Sequence, residues 1–234
     1  MGAVRAVLFD VFGTLVDWRG SLIAALTAYG ERTGRNADWA GLVDAWRGAY
    51  QPSMQRVRSG ALAWTGLDAL HRTSLDELLP RFGLATLPEA DRVWMVSLWH
   101  QLRPWPDTVA GLARLREKTI TGTLSNGPVA LLVDLAKSGG MPFDVIFGAD
   151  LFRHYKPDPE TYLGACALLA LPPGAVMLAA AHPSDLAAAR ACGLKTGFIP
   201  RPKEYGPGQT RDLKAEAGWD VIAETVGALA EKLR

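Results

Sequence analysis

The clearest hydrophobic pattern in the chain is a short apolar run near its beginning that ends in an acid. The run Ala6–Phe9 is apolar, Asp10 follows it, and Gly13 and Thr14 come shortly afterwards. An apolar run of this length that stops at a Gly/Thr turn predicts a strand buried on both faces, as in a parallel sheet. Ligands bind at the carboxyl edge of open α/β sheets, so the pattern places the Asp10 carboxylate where a substrate would meet it.

The spacing of apolar residues changes after Asp17 and predicts a helical insertion. From 18 to 104 the apolar residues recur at helical spacing, and Pro104 and Pro106 mark the end of the segment. Four helices are predicted here, within 22–29, 42–50, 62–79 and 93–102. Helices inserted directly after a strand-edge carboxylate can cover it, exclude water and contribute residues to a pocket.

Strands and helices alternate again after Pro106. The predicted strands are 120–124, 145–147, 176–181 and 196–199, and the predicted helices are 108–117, 129–136, 160–169, 186–191 and 221–233. This alternation predicts an α/β fold with a doubly wound, Rossmann-like parallel sheet, built from 1–17 and 105–234, with the helical insertion (18–104) between the two pieces. The segment Arg201–Gln209 is rich in Pro and Gly, and we expect a surface connection there.

Composition limits the class of protein. The chain has 234 residues, of which 49% are hydrophobic and 21% charged, as in soluble globular proteins. Its net charge is +1 without a cluster of Lys or Arg, so we expect no nucleic-acid partner, and no apolar stretch is long enough for a membrane span. Cys166 and Cys192 lie among apolar residues and are predicted to be buried free thiols. With no signal peptide recognisable, a cytoplasmic location is expected.

Two motifs resemble those of the haloacid dehalogenase superfamily. The string D-V-F-G-T-L-V-D from Asp10 to Asp17 resembles its first motif, in which the first Asp attacks the substrate and forms a covalent ester, and Y-K-P-D from Tyr155 to Asp158 resembles its third. The helical insertion is similar to the cap that many members carry at this place. The resemblance implies that Asp10 is a nucleophile. Taken alone, Asp10 could equally be a strand-ending residue that caps the next turn.

Phe12 separates two chemistries within this superfamily. Members that hydrolyse phosphate esters usually carry a second Asp two residues after the first, to protonate the leaving alcohol, and this chain has Phe12 there. A halide leaving group needs no proton. The chain therefore resembles the L-2-haloacid dehalogenases, which implies hydrolytic dehalogenation of short 2-haloalkanoic acids. A superfamily phosphatase with an atypical site and a non-catalytic ligand-binding member are the alternatives.

The resemblance also implies roles for residues at other strand ends. Ser125 would hold the substrate carboxylate, and Asn126 would face that carboxylate or the departing halide. Lys156, together with Thr14, would hold Asp10 ionised and oriented. Alone, Ser125 or Asn126 could be a simple helix cap, and Lys156 a solvated loop residue.

Two more residues complete the substrate-binding set implied by the resemblance. Arg47, in the segment Ala45–Trp46–Arg47, would receive the halide, and Tyr162 would line the pocket. Arg47 could alternatively be a surface residue of a helix. The partner predicted is a small 2-haloacid, and the flat apolar helices of the insertion make a homodimer plausible.

The fourth motif departs from the phosphatase pattern. Phosphatases of the superfamily usually bring two acids there to bind Mg²⁺, whereas this chain offers only Asp185, which predicts no metal and no cofactor. Asp185 is expected to pair with Lys156 and help position the hydrolytic water. Ala180 and His182 stand where related dehalogenases often have Ser and Asn. His182 either joins the halide site, which would favour fluoride, or is a structural residue that caps the helix at Pro183.

Overall fold

A six-stranded parallel sheet forms the centre of the molecule. The computed structural model describes residues 4–215 and 217–233, so the predicted core residues 1–3, Glu216 and Arg234 lie outside the described residues. In order across the sheet, the strands are β5 (Val145–Gly148), β4 (Ile120–Ser125), β1 (Ala6–Phe9), β6 (Val176–Ala180), β7 (Lys195–Phe198) and β8 (Val221–Ile222). The prediction of a doubly wound α/β fold is confirmed.

The central strand β1 is buried on both faces, as its apolar sequence predicts. Val7 and Phe9 pack into one hydrophobic cluster, whereas Ala6 and Leu8 pack into a second cluster on the opposite face of the sheet. At its carboxyl end, Phe9 is paired with Thr123 of β4 and with Ala179 of β6. This register brings Asp10 to the sheet edge at which β4 and β6 also end.

Helices make up most of the remaining structure. They are α1 (Trp18–Thr33), α2 (Trp39–Arg58), α3 (Leu67–Leu78), α4 (Glu89–Ser97), α5 (Thr108–Arg116), α6 (Val129–Gly139), α7 (Ala149–Phe152), α8 (Pro159–Leu168), α9 (Pro183–Ala191) and α10 (Val226–Lys232). Short 3₁₀ turns at Leu79–Phe82, Leu98–Gln101 and Pro173–Ala175 continue or connect them. None of the helices in the described part of the chain is long and apolar enough to cross a membrane.

Helices α1 to α4 form the helical insertion between two short strands. Strand β2 (Val16–Asp17) pairs antiparallel with β3 (Arg103–Pro104), so the chain leaves the sheet region and returns to it at one place. Asp17 also caps α1, because its side chain accepts the Gly20 N–H at 2.8 Å. The two-residue ribbon was not predicted, since strands this short carry no periodic signal.

The end of the chain differs from the sequence-based prediction. The strand 196–199 was expected to be the last, but β8 follows it and pairs with β7 through Gly197 and Val221. The predicted helix 221–233 consequently begins only at Val226, after Thr225, whose hydroxyl accepts the Ala228 N–H at 3.0 Å. Strand pairing by β-branched Val221 and Ile222 overrides the helical spacing there.

The expectation that Arg201–Gln209 is a surface connection was wrong for two of its residues. Arg201 and Glu204 are buried, and Arg201 donates through Nε to the Thr14 carbonyl at 2.8 Å while pairing with Asp107 at 2.7 Å. Gly13 has a left-handed φ of 84°, and a side chain there would collide with the Glu204 carboxylate. The segment therefore packs against the turn that follows β1. Of the two free thiols, Cys166 is buried as predicted, and Cys192 is half-buried.

Candidate active site

The Asp10 carboxylate lies at the end of β1 and is held on both oxygens. Lys156 Nζ lies 3.0 Å from Oδ1, and the Thr14 hydroxyl donates to Oδ2 at 2.8 Å. The side chain is largely buried, and burial raises its pKa, but Lys156 and His182 lower it to far below its usual range. Asp10 is therefore an ionised carboxylate that is largely buried at the wall of the site.

Lys156 joins Asp10 to a second acid. Its ammonium group contacts Oδ2 of Asp185, and Tyr162 donates its hydroxyl hydrogen to the other oxygen of Asp185 at 2.6 Å. Burial lowers the pKa of Lys156, but the two carboxylates raise it above its usual value. Asn126 fixes the lysine backbone, since its Oδ1 accepts the Lys156 N–H at 2.7 Å. The solvated-loop alternative for Lys156 is thus ruled out by its burial.

A cavity of about 770 Å³ opens above this group, between the sheet edge and the helical insertion. Most of the predicted site residues line it: Asp10, Phe12, Arg47, Asn126, Lys156, Tyr162, His182 and Asp185. Thr14 and Ser125 are buried behind the lining. The Ser125 hydroxyl accepts the Gly127 N–H at 3.2 Å, which leaves its hydrogen to donate elsewhere.

Arg47 brings a positive charge to the cavity from α2. Its guanidinium carbon lies 4.2 Å from the centre of the Tyr50 ring and 5.3 Å from that of Trp18. The Nη1 atom is buried and has no hydrogen-bond partner among the described residues. Burial lowers the pKa of Arg47, but Tyr50 and Glu204 raise it overall. A charged donor without a partner in a cavity wall is suited to an anion.

Phe12 occupies the wall of the cavity two residues after Asp10. Its ring is buried and packs edge-on against Trp99 and Tyr50 of the helical insertion, with centroid distances of 5.8 and 6.3 Å. The position therefore provides apolar packing and no proton donor.

His182 bridges Asp10 and a residue that the sequence did not reveal as part of the site. Its Nδ1 lies 3.0 Å from Asp10 Oδ2, and its Nε2 lies 3.0 Å from both oxygens of Glu204. His182 is the N-cap residue of α9, as the structural alternative expected, but its side chain makes no capping hydrogen bond and lies in the site instead. Burial lowers the pKa of His182, but Glu204 and Asp10 raise it to about 10.

Glu204 is fully buried and reaches the site from the segment after β7. Trp18 donates its Nε1–H to Oε1 at 3.1 Å. Burial raises the pKa of Glu204, but His182 and Arg47 lower it overall, so the carboxylate is ionised. No periodic or motif signal marks one Glu in a Pro/Gly-rich loop, and only the fold brings it to His182.

Comparison with known proteins identifies the family of this chain. The family model for haloacid dehalogenase-like hydrolases matches residues 4–193. The chain belongs to the haloacid dehalogenase-like hydrolases. The resemblance noted in the sequence is thereby confirmed.

Relatives of this haloacid dehalogenase-like hydrolase include solved structures that match along almost its full length. One is an L-2-haloacid dehalogenase with 54% identity and a TM-score of 0.96, covering 99% of both chains. Another is a defluorinating L-2-haloacid dehalogenase with 48% identity and a TM-score of 0.96, covering 99% of this chain and 95% of that one. The (S)-2-haloacid dehalogenase 1 of Pseudomonas sp. (strain CBS-3) is 30% identical over 88% of this chain and 89% of its own. Phosphoglycolate phosphatases also occur among the relatives.

The acids of this haloacid dehalogenase-like hydrolase do not fit the Mg²⁺ that superfamily phosphatases use. Asp10 and Asp185 both hold the Lys156 ammonium group, which already supplies the positive charge between them. Within residues 4–215 and 217–233, no three His, Cys, Asp or Glu side chains are grouped so that they could hold a metal. A divalent cation would meet the positive charge of the Lys156 ammonium group beside both carboxylates.

Proposed function

We propose that this protein hydrolyses short 2-haloalkanoic acids to 2-hydroxy acids and halide through an ester on Asp10. The observation that carries the proposal is the ionised Asp10 carboxylate, held by Lys156 at 3.0 Å and facing the cavity that Arg47 lines. A carboxylate kept ionised in a dry site is a competent nucleophile toward carbon. Its similarity to L-2-haloacid dehalogenases supports this assignment.

In the first step Asp10 attacks C2 from the side opposite the halogen, and the halide leaves with the bonding electron pair. Arg47 receives the halide, because its unpartnered Nη1 is a charged donor for a developing anion. Asn126, which lines the cavity, holds the substrate carboxylate, and Ser125 lies buried behind it with a hydroxyl hydrogen to donate. The Nδ2 group of Asn126 makes a long contact, 3.5 Å, to the Lys156 carbonyl and can turn its hydrogens to the substrate.

In the second step water attacks the ester carbonyl carbon and regenerates Asp10. Asp185 lines the cavity and is oriented by Lys156 and Tyr162, so its carboxylate is placed to hold the water and take its proton. The ammonium of Lys156 keeps both acids in position throughout. No step requires a metal ion.

Phe12 is the residue that distinguishes the proposed dehalogenase from a phosphatase. A phosphate ester needs a donor beside Asp10 for its leaving alcohol, and the Phe12 ring is locked by aromatic packing at that place. The test is halide release from L-2-chloropropionate beside hydrolysis of p-nitrophenyl phosphate by the same preparation. Halide release well above phosphate release is expected, and the reverse would reassign the enzyme to the phosphatases.

Fluoroacetate is proposed as a further substrate. The carbon–fluorine bond is the hardest to break, and its expulsion needs more stabilisation of the leaving anion than that of other halides. Two cations, Arg47 and His182, line the cavity that must receive it. The 48% identity to a defluorinating L-2-haloacid dehalogenase supports the same proposal.

The remaining proposals concern organisation and location. Residues 1–17 and 105–234 form the core domain and 18–104 a cap domain, with the β2–β3 ribbon at their junction. A cytoplasmic location is proposed from the two free thiols. We also propose a homodimer that forms through the helical insertion. Measurement of the oligomeric state of the protein in solution would test it.

A further inference from the structure

The two oxygens of the Asp10 carboxylate have different surroundings. Oδ2 receives two hydrogen bonds, from Thr14 at 2.8 Å and from His182 at 3.0 Å, whereas Oδ1 contacts Lys156 at 3.0 Å. The Thr14 hydroxyl accepts the Ala181 N–H at 2.9 Å, so its single hydrogen is directed at Oδ2. Oδ1 thus keeps room for a bond to carbon, and Oδ2 does not.

His182 is doubly protonated on geometric grounds. Nδ1 faces Asp10 Oδ2, and Nε2 faces both oxygens of Glu204 at 3.0 Å. An ionised carboxylate only accepts hydrogen bonds, so each ring nitrogen must carry a hydrogen. Burial lowers the pKa of His182, but Glu204 and Asp10 raise it to about 10, in agreement with an imidazolium.

Esterification of Asp10 removes one of the two charges that hold this proton. The ester oxygen at Oδ2 is neutral, so Nδ1 loses its ionic partner. Glu204 remains, fully buried and held by Trp18 at 3.1 Å. A buried carboxylate in contact with an imidazole favours the protonated, charged form of the imidazole.

Other ionisable side chains face the same site and do not replace Glu204. They are Asp44, Arg47, Tyr50, Arg58, Lys156, Tyr162, Asp185, Tyr205, Arg211 and Asp212. Lys156 and Asp185 form an ion pair, and Arg47 is a cation that opposes a second positive charge. In the ester state the proton on His182 is therefore stabilised chiefly by Glu204.

We propose that His182 is a catalytic residue that stabilises the oxyanion formed on Oδ2 during ester hydrolysis, and that Glu204 is the positioning residue that keeps His182 protonated for this step. The inference rests on the proposed function, because it requires the Asp10 ester. A charged donor fixed where negative charge develops lowers the barrier to attack on an ester.

The bond changes follow from this assignment. Oδ1 of Asp10 bonds to C2 as the halide leaves with the electron pair of its carbon bond. The water oxygen then bonds to Cγ, and the carbonyl π electrons move onto Oδ2, between Thr14 and His182. Reformation of the carbonyl breaks the Cγ–Oδ1 bond, and Oδ1 leaves in the product. One water proton passes through Asp185 to that oxygen, and the other is released when Asp10 ionises.

The opposite role, in which His182 removes a proton from water, requires an unprotonated ring nitrogen. Both nitrogens face carboxylates in the resting enzyme, so neither is available as a base. The two roles predict opposite responses to pH. An oxyanion donor loses activity as pH rises through the pKa of His182, whereas a base gains activity over the same range.

The experiment measures both steps in single turnovers of L-2-chloropropionate over a range of pH. Halide release reports ester formation, and intact-protein mass spectrometry reports the fraction of esterified enzyme. The proteins compared are wild type, Glu204→Gln and the control Glu231→Gln, which removes an exposed carboxylate of α10 paired with Arg114. Glutamine keeps the size and an accepting oxygen of Glu204 but removes its charge.

For wild type, ester hydrolysis should decline at alkaline pH. In Glu204→Gln the decline should move to lower pH, the ester should accumulate, and hydrolysis near neutral pH should slow about 10²-fold, with ester formation changed by less than about tenfold. Glu231→Gln should behave as wild type.

Three outcomes would overturn the assignment. A hydrolysis rate that rises with pH across the alkaline range in wild type would make His182 a base, and this test does not depend on the variant folding. An unchanged pH profile in folded Glu204→Gln, or equal slowing of both steps, would leave Glu204 a structural residue. Failure of wild type to release halide at all would instead reject the proposed function.

Discussion

The ammonium nitrogen of Lys156 lies 3.0 Å from Oδ1 of Asp10, although 146 positions separate the two residues in the chain. Burial raises the pKa of Asp10, but Lys156 and His182 more than compensate for it, so the carboxylate is ionised before substrate arrives. The ammonium also neutralises part of the repulsion that an anionic substrate would meet. The fold, and not the substrate, therefore prepares Asp10 for the nucleophilic role that we propose for it.

Asp10 should supply the oxygen atom of the product hydroxyl group. In a single turnover in ¹⁸O water, the label should enter Asp10, and the product should carry unlabelled oxygen. Asp10→Asn should lower the rate by at least about 10³-fold, as for the loss of a catalytic nucleophile. Label found directly in the product of one turnover would mean that water, and not Asp10, attacks the substrate.

Replacement of Lys156 should change the pH dependence of kcat/KM. The low pKa of Asp10 should keep wild type active as pH falls, because the proposed nucleophile stays ionised. In Lys156→Gln the pKa of Asp10 rises, so kcat/KM should be lost at higher pH than in wild type as acid is added. Lys137→Gln, an exposed lysine of α6, is the control. If kcat/KM fell at the same acid pH in Lys156→Gln and in wild type, Lys156 would not control the pKa of Asp10.

Much of the fold was predictable from β1 and the alternation that follows residue 106. The run Ala6–Phe9 is apolar on both faces because helices cover both sides of the sheet, and its boundaries were predicted correctly. The edge strand β8 was missed because two residues carry no periodic signal, and its pairing with Gly197 and Val221 exists only in the folded chain.

The candidate site, too, could be predicted only where the sequence carries a local signal. Asp10, Lys156 and Asp185 follow strands or motifs that the sequence displays, and the structure brings them into contact. Glu204 lies in a loop whose Pro/Gly content indicates exposure, yet it is buried against His182 and over Gly13. Local composition cannot report a contact that depends on where a distant segment packs.

Activity should not depend on a divalent metal. Asp10 and Asp185 both hold Lys156, and the chain has Phe12 where a phosphatase acid would stand. Dialysis against EDTA should leave halide release unchanged, and added Mg²⁺ should not raise it. A phosphatase activity that requires Mg²⁺ and exceeds dehalogenation would reverse the assignment within the family.

Arg47 should not tolerate replacement by lysine. Its planar guanidinium lies against Tyr50 in the cavity wall and has a buried, unpartnered Nη1, and an ammonium group reproduces neither feature. Arg47→Lys should lower turnover about 10²-fold, as for the loss of a preorganised donor at a developing charge. Arg56→Lys, an exposed position of the same helix, should have no effect. Wild-type turnover in Arg47→Lys would mean that another group receives the halide.

His182 should influence which halide is expelled. Its imidazolium lines the same cavity as Arg47, so we expect its positive charge to act on the leaving anion from across the cavity. Both ring nitrogens are engaged by Asp10 and Glu204, so the effect acts through charge and size and not through a free N–H.

Wild type should release fluoride from fluoroacetate as well as chloride from chloroacetate. The ester is the same whichever halide leaves, so halide release in a single turnover isolates the expulsion step from its later hydrolysis. In His182→Asn the ratio of fluoride to chloride release should fall about tenfold, equivalent to roughly 1.4 kcal/mol, because the later and more charged transition state of fluoride expulsion loses more. His154→Asn, at a half-exposed position outside the cavity, is the control. An unchanged ratio would remove His182 from halide selection, and absence of fluoride release by an enzyme active on chloroacetate would exclude fluoroacetate as a substrate.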